Sequence, residues 1–337
     1  MSGYEETLRG DPEDDRCHGS AVDVVCLGET MLMFAPPRYE LIEHCDIFRV
    51  YNGGAESNVA IGLERLGVHA AWISKLPKNA LGRKVVHVTR AYGVDTSRVI
   101  WTETGRVGLF FVEFGAPPRP HTTLYDRAHS AFATLEVEEL DWAFLSQAKL
   151  LHLTGITPAL GELCRRTTIK IVERARAIGI RVSFDVNYRS LLWTPAEARA
   201  ALEEILPCVN LLIATQADAA LLLGEEAEPR PALQRLRERY GCDVVVLTLG
   251  SEGSMAFDGQ AFYRGAAYAL QEVNRLGAGD AFDAGLIYGW LRSDVQVGLD
   301  YGGAMAALKH TVPQNIPLLN KDDVEGLIRG TRVDILR

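Results

Sequence analysis

Val22-Asp23-Val24-Val25-Cys26-Leu27-Gly28 is a short β-branched apolar run closed by glycine, the pattern of a buried first strand. Ala55–Leu66 carries apolar residues at helical spacing (Val59, Ala60, Leu63, Leu66) and stops at Gly67, which predicts a helix with a glycine end. A strand is predicted over Ala70–Leu76 and a helix over Gly82–Tyr92, ending at Gly93. After Leu135 the alternation is regular. Strands are predicted at Lys149–Leu153, Arg181–Asp185, Val209–Ile213 and Asp243–Thr248. Helical patterns at Leu160–Ile178, Pro195–Leu206, Ala217–Leu223 and Pro231–Tyr240 fill the gaps. Such β/α alternation predicts a mostly parallel sheet with helices on both faces. Ligands of such sheets sit at the carboxyl ends of the strands.

Two segments break this rhythm. Residues 29–50 hold Pro36, Pro37 and scattered apolar positions, and read as extended structure projecting off the core. Residues 98–127 contain two extended runs, Gly105–Phe114 and Thr122–Tyr125, around the turn-rich Gly115-Ala116-Pro117-Pro118-Arg119-Pro120. Together the two segments predict a small separate sheet, a lid over the main one. Its apolar positions Leu109, Phe110, Phe111, Val112 and Phe114 suit pairing with the lid of a second copy, or packing of the lid on its own core. Residues 21–335 thus read as one domain with a lid, and residues 1–20 as a disordered acidic tail.

Composition removes several classes. No apolar run reaches about 18 residues, so no membrane partner is expected, and the first 20 residues lack the apolar centre of a secretory signal. A net charge of −9 argues against a nucleic-acid surface. The six cysteines form no C-x-x-C pair and suit free thiols in a reducing cytoplasm. The eight histidines show no H-x-x-x-H spacing, against a structural zinc.

The chemistry concentrates in Asn274–Gly285, N-R-L-G-A-G-D-A-F-D-A-G, where a polar loop runs into an apolar helix pattern, Ala281 through Leu291. Gly277 and Gly279, with the helix start, suit an anion site. Asp280 there is either a helix cap or a base held beside bound phosphate. A second glycine element, Tyr51-Asn52-Gly53-Gly54-Ala55-Glu56-Ser57-Asn58, also opens a helix. Two such starts suit the two ends of one phosphoryl transfer. Thr248-Leu249-Gly250-Ser251-Glu252-Gly253 follows a strand and reads either as a loop against nucleotide phosphates or as a plain turn. No G-x-x-x-x-G-K-[ST] occurs, and no G-x-G-x-x-G follows the first strand, which excludes a P-loop and argues against a dinucleotide enzyme. Arg189, after the strand ending Phe184-Asp185, and Arg127, at the end of the lid, suit bidentate pairing with a carboxylate or phosphate, or plain surface ion pairs.

Gly53-Gly54-x-x-x-Asn58 and Gly277-Ala278-Gly279-Asp280 resemble the two motifs of the ribokinase-like (PfkB) sugar kinases, and the resemblance covers everything after residue 22. Tyr125-Asp126-Arg127-Ala128-x-Ser130-Ala131, Asp185-x-Asn187-Tyr188-Arg189-x-x-x-Trp193 and Leu308-Lys309-His310-Thr311-x-Pro313 resemble the 2-keto-3-deoxygluconate kinases among them. The resemblance implies a ribokinase-like three-layer α/β/α core with a small β lid. It implies transfer of the ATP γ-phosphate to a primary hydroxyl of a sugar acid, 2-keto-3-deoxygluconate foremost. It makes Asp280 the base and Gly277, Ala278 and Gly279 the anion hole. Gly53, Gly54 and Asn58 would bind sugar hydroxyls, and Tyr125, Arg127 and Arg189 the keto-acid end. Asn187, Thr248, Gly250, Ser251 and Gly253 would line the ATP site, with Asp218 reaching Mg²⁺ through water. A monovalent cation such as K⁺ is a further expectation.

Four departures stand out. Thr215-Gln216-Ala217-Asp218 replaces the family's N-x-x-E, Asn274 stands where many relatives have Asp, and Phe110 or Phe111 takes the place of a substrate-facing Tyr. The Pro313-Gln314-Asn315 loop lacks the usual Gly-Asp. A fructokinase or other neutral-sugar or nucleoside kinase, and a catalytically weak sugar-binding regulator on the same fold, are the competing readings.

Overall fold

The β/α alternation folds as its period dictates. The computed structural model describes residues 22–37, 39–116 and 118–330, so the tail predicted over residues 1–20 lies outside them. In chain order the elements begin with β1 (Val24–Leu27), β2 (Met31–Ala35), β3 (Arg49–Gly53), α1 (Ala55–Arg65), β4 (Ala70–Ile73), β5 (Lys75–Pro77) and α2 (Ala80–Arg90). They continue through β6 (Ile100–Thr102), β7 (Leu109–Glu113), β8 (Thr122–Asp126), α3 (Trp142–Leu145), β9 (Leu150–Thr154), α4 (Glu162–Ala177), β10 (Arg181–Asp185) and α5 (Pro195–Ile205). Then come β11 (Leu211–Thr215), α6 (Gln216–Leu223), α7 (Pro229–Tyr240), β12 (Val244–Thr248), β13 (Ser254–Phe257), β14 (Phe262–Gly265), α8 (Ala278–Arg292), α9 (Val295–His310) and α10 (Lys321–Ile328).

The main sheet has eight strands in the order β14-β13-β12-β11-β10-β9-β1-β4. It is parallel from β4 to β12 and closes with antiparallel β13 and β14. Strand period two divides the core. Val24 and Cys26 face a cluster built with α1, α8 and α9, while Val25 and Leu27 face the cluster of α4 to α7. The strand order reverses at β1, between β4 and β9, which opens a crevice at the carboxyl ends of β1, β9 and β10.

The lid is a four-stranded sheet in the order β3-β2-β7-β8. Its alternation gives it two apolar faces. Phe110 and Val112 join Met31 and Met33 on the inner face, in a cluster that also takes in Tyr51, Phe114 and Leu276. Phe111 points the other way and stacks on Phe34 with ring centroids 5.3 Å apart, and both meet Phe48 edge-on.

Two predicted boundaries are corrected. The strand predicted over Ala70–Leu76 breaks at Ser74, and β5 leaves the main sheet to pair with β6. Residues 100–102 therefore belong to a separate two-stranded sheet and not to the lid. The Ile100 N–H donates to the Ser74 carbonyl at 2.8 Å, and the Ile100 side chain packs on the α4–α7 core. Period-two alternation specifies an extended chain but not its partner, so the sequence could not separate these strands.

Candidate active site

Two glycines open α8 in different ways. Gly277, its N-cap, has φ 82°, and a Cβ there would also collide with the Asn315 carbonyl oxygen. Only glycine meets both demands. Gly279 needs no special backbone: a Cβ there meets nothing within 4 Å, so the first turn of α8 faces open space. The Ala278 N–H donates to the Arg275 carbonyl at 3.2 Å and ties Ala278 into its own turn.

Asp280 follows on the same turn, half-buried. Gly277 caps the helix, and the Asp280 carboxylate instead accepts a hydrogen bond from the Asn58 side-chain amide at 2.6 Å. The two glycine elements thus meet at Asp280, through a bond between residues 222 positions apart in sequence. Burial raises the Asp280 pKa to about 6, against the pull of the Asn58 bond and the charges of Arg189 and Lys309. Asn58 also donates to the Asn315 carbonyl at 3.3 Å. Asn58, predicted to bind sugar hydroxyls, therefore also holds the Asp280 carboxylate, a contact its motif alone does not disclose.

Further acids lie beneath. Asp283, one turn along α8, is 2 % exposed, and its Oδ2 has no hydrogen-bond partner. It is within hydrogen-bonding reach of Asp185 at the end of β10. Burial first, and then neighbouring carboxylates, raise Asp283 well above the ordinary range. Asp185 is pushed up to about 8 by burial and by the Asp218 and Asp280 charges. Glu56, buried on α1, accepts from the Thr154 hydroxyl at 2.7 Å and is raised to about 7 by burial. A side chain at Gly28 would occupy the place of the Glu56 carboxyl.

The lid supplies the roof. A Cβ at Gly53 would strike the Phe110 ring, and one at Gly54 the Thr30 hydroxyl and the Glu29 carbonyl, so both glycines permit close packing. Phe110 stacks on Tyr125 with centroids 5.7 Å apart. This settles which phenylalanine faces the site: Phe110 does and Phe111 does not. Arg127 lies here too, but it pairs with buried Glu29, its Nε donating to Oε2 at 3.0 Å. A substrate carboxylate reaching Arg127 would therefore have to compete with Glu29. Arg189, by contrast, is exposed and has no ion-pair partner among the described residues, while its charge acts on Asp280 and Asp185.

Asn187, two residues past β10, is held at φ 42° with its N–H and side-chain amide donating to the Asp185 carboxylate at 3.2 and 2.9 Å. A left-handed asparagine stores strain of the kind found at functional sites. Thr248 pairs in register with Thr215 of the neighbouring strand. Beyond it, Gly250 and Gly253 both have positive φ, around a short helical turn that includes Ser251. Asp218 is 6 % exposed and forms a capping box with Thr215, its Oδ2 accepting from the Thr215 N–H at 2.9 Å and hydroxyl at 2.7 Å. The departure from N-x-x-E thus preserves a helix cap but commits half of the carboxylate to it. Among the described residues no three His, Cys, Asp or Glu side chains form a ready metal cage. The donor set still fits Mg²⁺, which takes most of its ligands from phosphates and water. The Asp218 charge presses on Asp185, and a divalent cation bound there would relieve that repulsion.

Comparison with known proteins bears on this geometry. Residues 21–320 match the model of the pfkB family carbohydrate kinases. The chain belongs to that family. It is 37 % identical to a 2-dehydro-3-deoxygalactonokinase of Haloferax volcanii, over 91 % of this chain and 97 % of the relative. The 2-dehydro-3-deoxygluconokinase structure of Thermotoga maritima superposes with a TM-score of 0.87 at 34 % identity, over 93 % of this chain and 100 % of that one. A sugar kinase of Pyrococcus horikoshii, solved with ATP, shares the fold at a TM-score of 0.77 and 23 % identity, over 89 % of this chain and 96 % of that one. The chain is thus a carbohydrate kinase with the ribokinase-like core and lid. The polar residues its motifs left unassigned are Glu29, Glu56, Asp283, Lys309 and Asn315. Of these, only Asp283 carried a local signal, its i+3 spacing from Asp280 on one helix.

Proposed function

We propose that this kinase moves the γ-phosphoryl group of Mg·ATP onto the primary hydroxyl of a 2-keto-3-deoxy sugar acid, 2-keto-3-deoxygluconate first and its galacto counterpart next. The observation that carries the acid assignment is Arg189, an exposed guanidinium without an ion-pair partner among the described residues, whose charge reaches Asp280. A neutral sugar gives such a cation nothing to pair with; a carboxylate accepts it bidentately.

The chemistry follows from placement. Asp280 takes the proton of the attacking hydroxyl as the new O–P bond forms and the bond from the γ-phosphorus to the β–γ bridging oxygen breaks. Asn58 keeps the carboxylate aimed. The Gly277–Gly279 turn faces the charge that gathers on the transferred group, where fixed amide dipoles count most. Asn187, Thr248, Gly250, Ser251 and Gly253 line the nucleotide side, and Gly53, Gly54 and Tyr125 the sugar side. Asp185 and Asp218 would hold magnesium through water, and the ion would supply charge neutralisation.

The test is ADP release with Mg·ATP against 2-keto-3-deoxygluconate, 2-keto-3-deoxygalactonate, gluconate, fructose, ribose and adenosine. Turnover is expected on the keto-deoxy acids; turnover confined to fructose or ribose removes the acid assignment and leaves Asp280 in place. Arg189→Ala is expected to raise KM for the acid about 10- to 100-fold, the worth of a charge-assisted hydrogen bond, with little effect on any neutral sugar. Equal damage to both classes would strip Arg189 of its role.

The outer lid face carries the Phe34, Phe48 and Phe111 cluster, with Leu124 on the edge strand 53 % exposed. We propose that two copies pair through it. Sedimentation at micromolar protein is expected to show a dimer that Phe111→Asp dissociates; a wild-type monomer at that concentration rules the pairing out.

A further inference from the structure

Lys309 sits near the carboxyl end of α9 and is fully buried. Among the described residues no carboxylate pairs with it. Its ammonium donates instead to two main-chain carbonyls, Asn274 at 3.2 Å and Val312 at 3.5 Å. A buried charge is costly unless dipoles replace its water, and the negative end of α9 adds to those carbonyls. Burial lowers its pKa to about 8 while the Asp280 charge pulls upward, so the ammonium stays charged at neutral pH.

The two carbonyls belong to the two segments that shape the transfer site. Asn274 begins the loop into α8. Its N–H donates to the His310 carbonyl at 3.1 Å, its side-chain amide to the Pro313 carbonyl at 2.6 Å, and its Oδ1 accepts from the Leu276 N–H at 3.0 Å. Asn315, past the turn that Val312 opens, backs onto Gly277 and accepts from Asn58. Its side-chain amide also donates to the Asn52 carbonyl at 2.7 Å. Loop 274–277 and turn 310–315 therefore form one brace, with Lys309 at its centre. Carbonyls converging on a dehydrated monovalent charge are how proteins hold potassium. Here a compact ammonium on a tether fills that place.

We propose that Lys309 is a positioning residue for phosphoryl transfer: its tethered ammonium locks the anion-hole loop to turn 310–315, does the work of a bound monovalent cation, and makes turnover independent of added K⁺. This rests on the phosphoryl-transfer reading above and replaces the expectation of a K⁺ cofactor.

The experiment compares the full chain, Lys309→Ala and Lys309→Met in tetramethylammonium buffer, with and without K⁺, NH₄⁺ or methylammonium. Wild-type kcat is expected to change less than about two-fold on any addition. Lys309→Met keeps the volume without the charge and is expected to lose about 100-fold in kcat, the scale of losing an anion-hole donor, with KM values within about three-fold. Lys309→Ala leaves room for an ion, and ammonium or K⁺ is expected to restore about ten-fold or more of its lost rate. A purely structural lysine would give no such cation response.

The same ions are expected to raise the Tm of Lys309→Ala and not of wild type. That readout uses no sugar, so it stands even if every sugar acid proves inert and the substrate reading falls. Severalfold activation of wild type by K⁺ overturns the proposal. So does a Lys309→Met variant with at least half of the wild-type kcat, or the absence of any cation effect on both the rate and the Tm of Lys309→Ala. Should Lys309→Ala fail to fold, the wild-type and Lys309→Met results decide.

Discussion

Asp280→Asn is expected to lower kcat by about 10²- to 10⁴-fold, the range a positioned general base supplies, while KM for both substrates stays within a few-fold. The variant keeps the shape of the side chain and an oxygen that can accept from Asn58, whose amide lies 2.6 Å away. It removes only the capacity to take a proton. To serve as the proposed base the carboxylate would have to be ionised, and burial holds its pKa at about 6. The kcat/KM profile should therefore be flat above that value and fall tenfold per unit below it, and a rate already declining only near pH 4 would place the base elsewhere. Stability moves the other way. A carboxyl raised from its ordinary value near 4 to about 6 disfavours the folded state increasingly as pH rises through that interval, and fully above it. Asp280→Asn is thus expected to match or exceed the wild-type Tm at pH 8, with any gain gone at pH 4. Near wild-type turnover in this variant would discard Asp280 as the base.

Gly277→Ala should be nearly as damaging, for a geometric reason. The residue has φ 82°, and its missing side chain leaves room for the Asn315 carbonyl. Strain at such a position costs about 1–3 kcal/mol, and the collision forces the loop and the turn apart. If the Gly277–Gly279 amides face the transferred group as proposed, they move with them, and kcat should drop by about 10²- to 10³-fold, the loss seen when an anion-hole donor is removed. Gly279→Ala is the control. A Cβ there meets nothing within 4 Å, so its Tm should stay near wild type. An unchanged Tm at Gly279→Ala, beside a lowered Tm and kcat at Gly277→Ala, would separate the two positions. A Gly277→Ala enzyme within three-fold of wild type would show that this turn does not bear the developing charge.

The sequence disclosed the features whose causes are local. Strand Arg181–Asp185 and the β/α rhythm follow from short apolar runs and helical spacing, and the two glycine elements announce close backbone approaches. What it hid are contacts made across the fold. Arg127 reads as a free cation until Glu29, 98 positions away, is brought beside it. Asp280 reads equally as a cap until Asn58 arrives from α1. The capping box that commits one oxygen of Asp218 to Thr215 is equally invisible until the helix forms. Strand β6 reads as lid because an extended run carries no mark of its partner. Lys309 sits in a stretch singled out for its resemblance alone, and its importance lies in two carbonyls no pattern predicts.

One apolar cluster joins Met31, Met33, Phe110 and Val112 of the lid to Leu276 of the anion-hole loop. Roof and catalytic loop therefore cannot be ordered independently. A sugar that settles the lid over Phe110 settles Leu276 as well, and a nucleotide that orders the loop from below presents the lid with a finished surface. If the sugar orders the lid and the nucleotide the loop, linkage requires each substrate to strengthen the other's binding by the same factor. The packing of a single leucine would then carry the coupling between the two substrates.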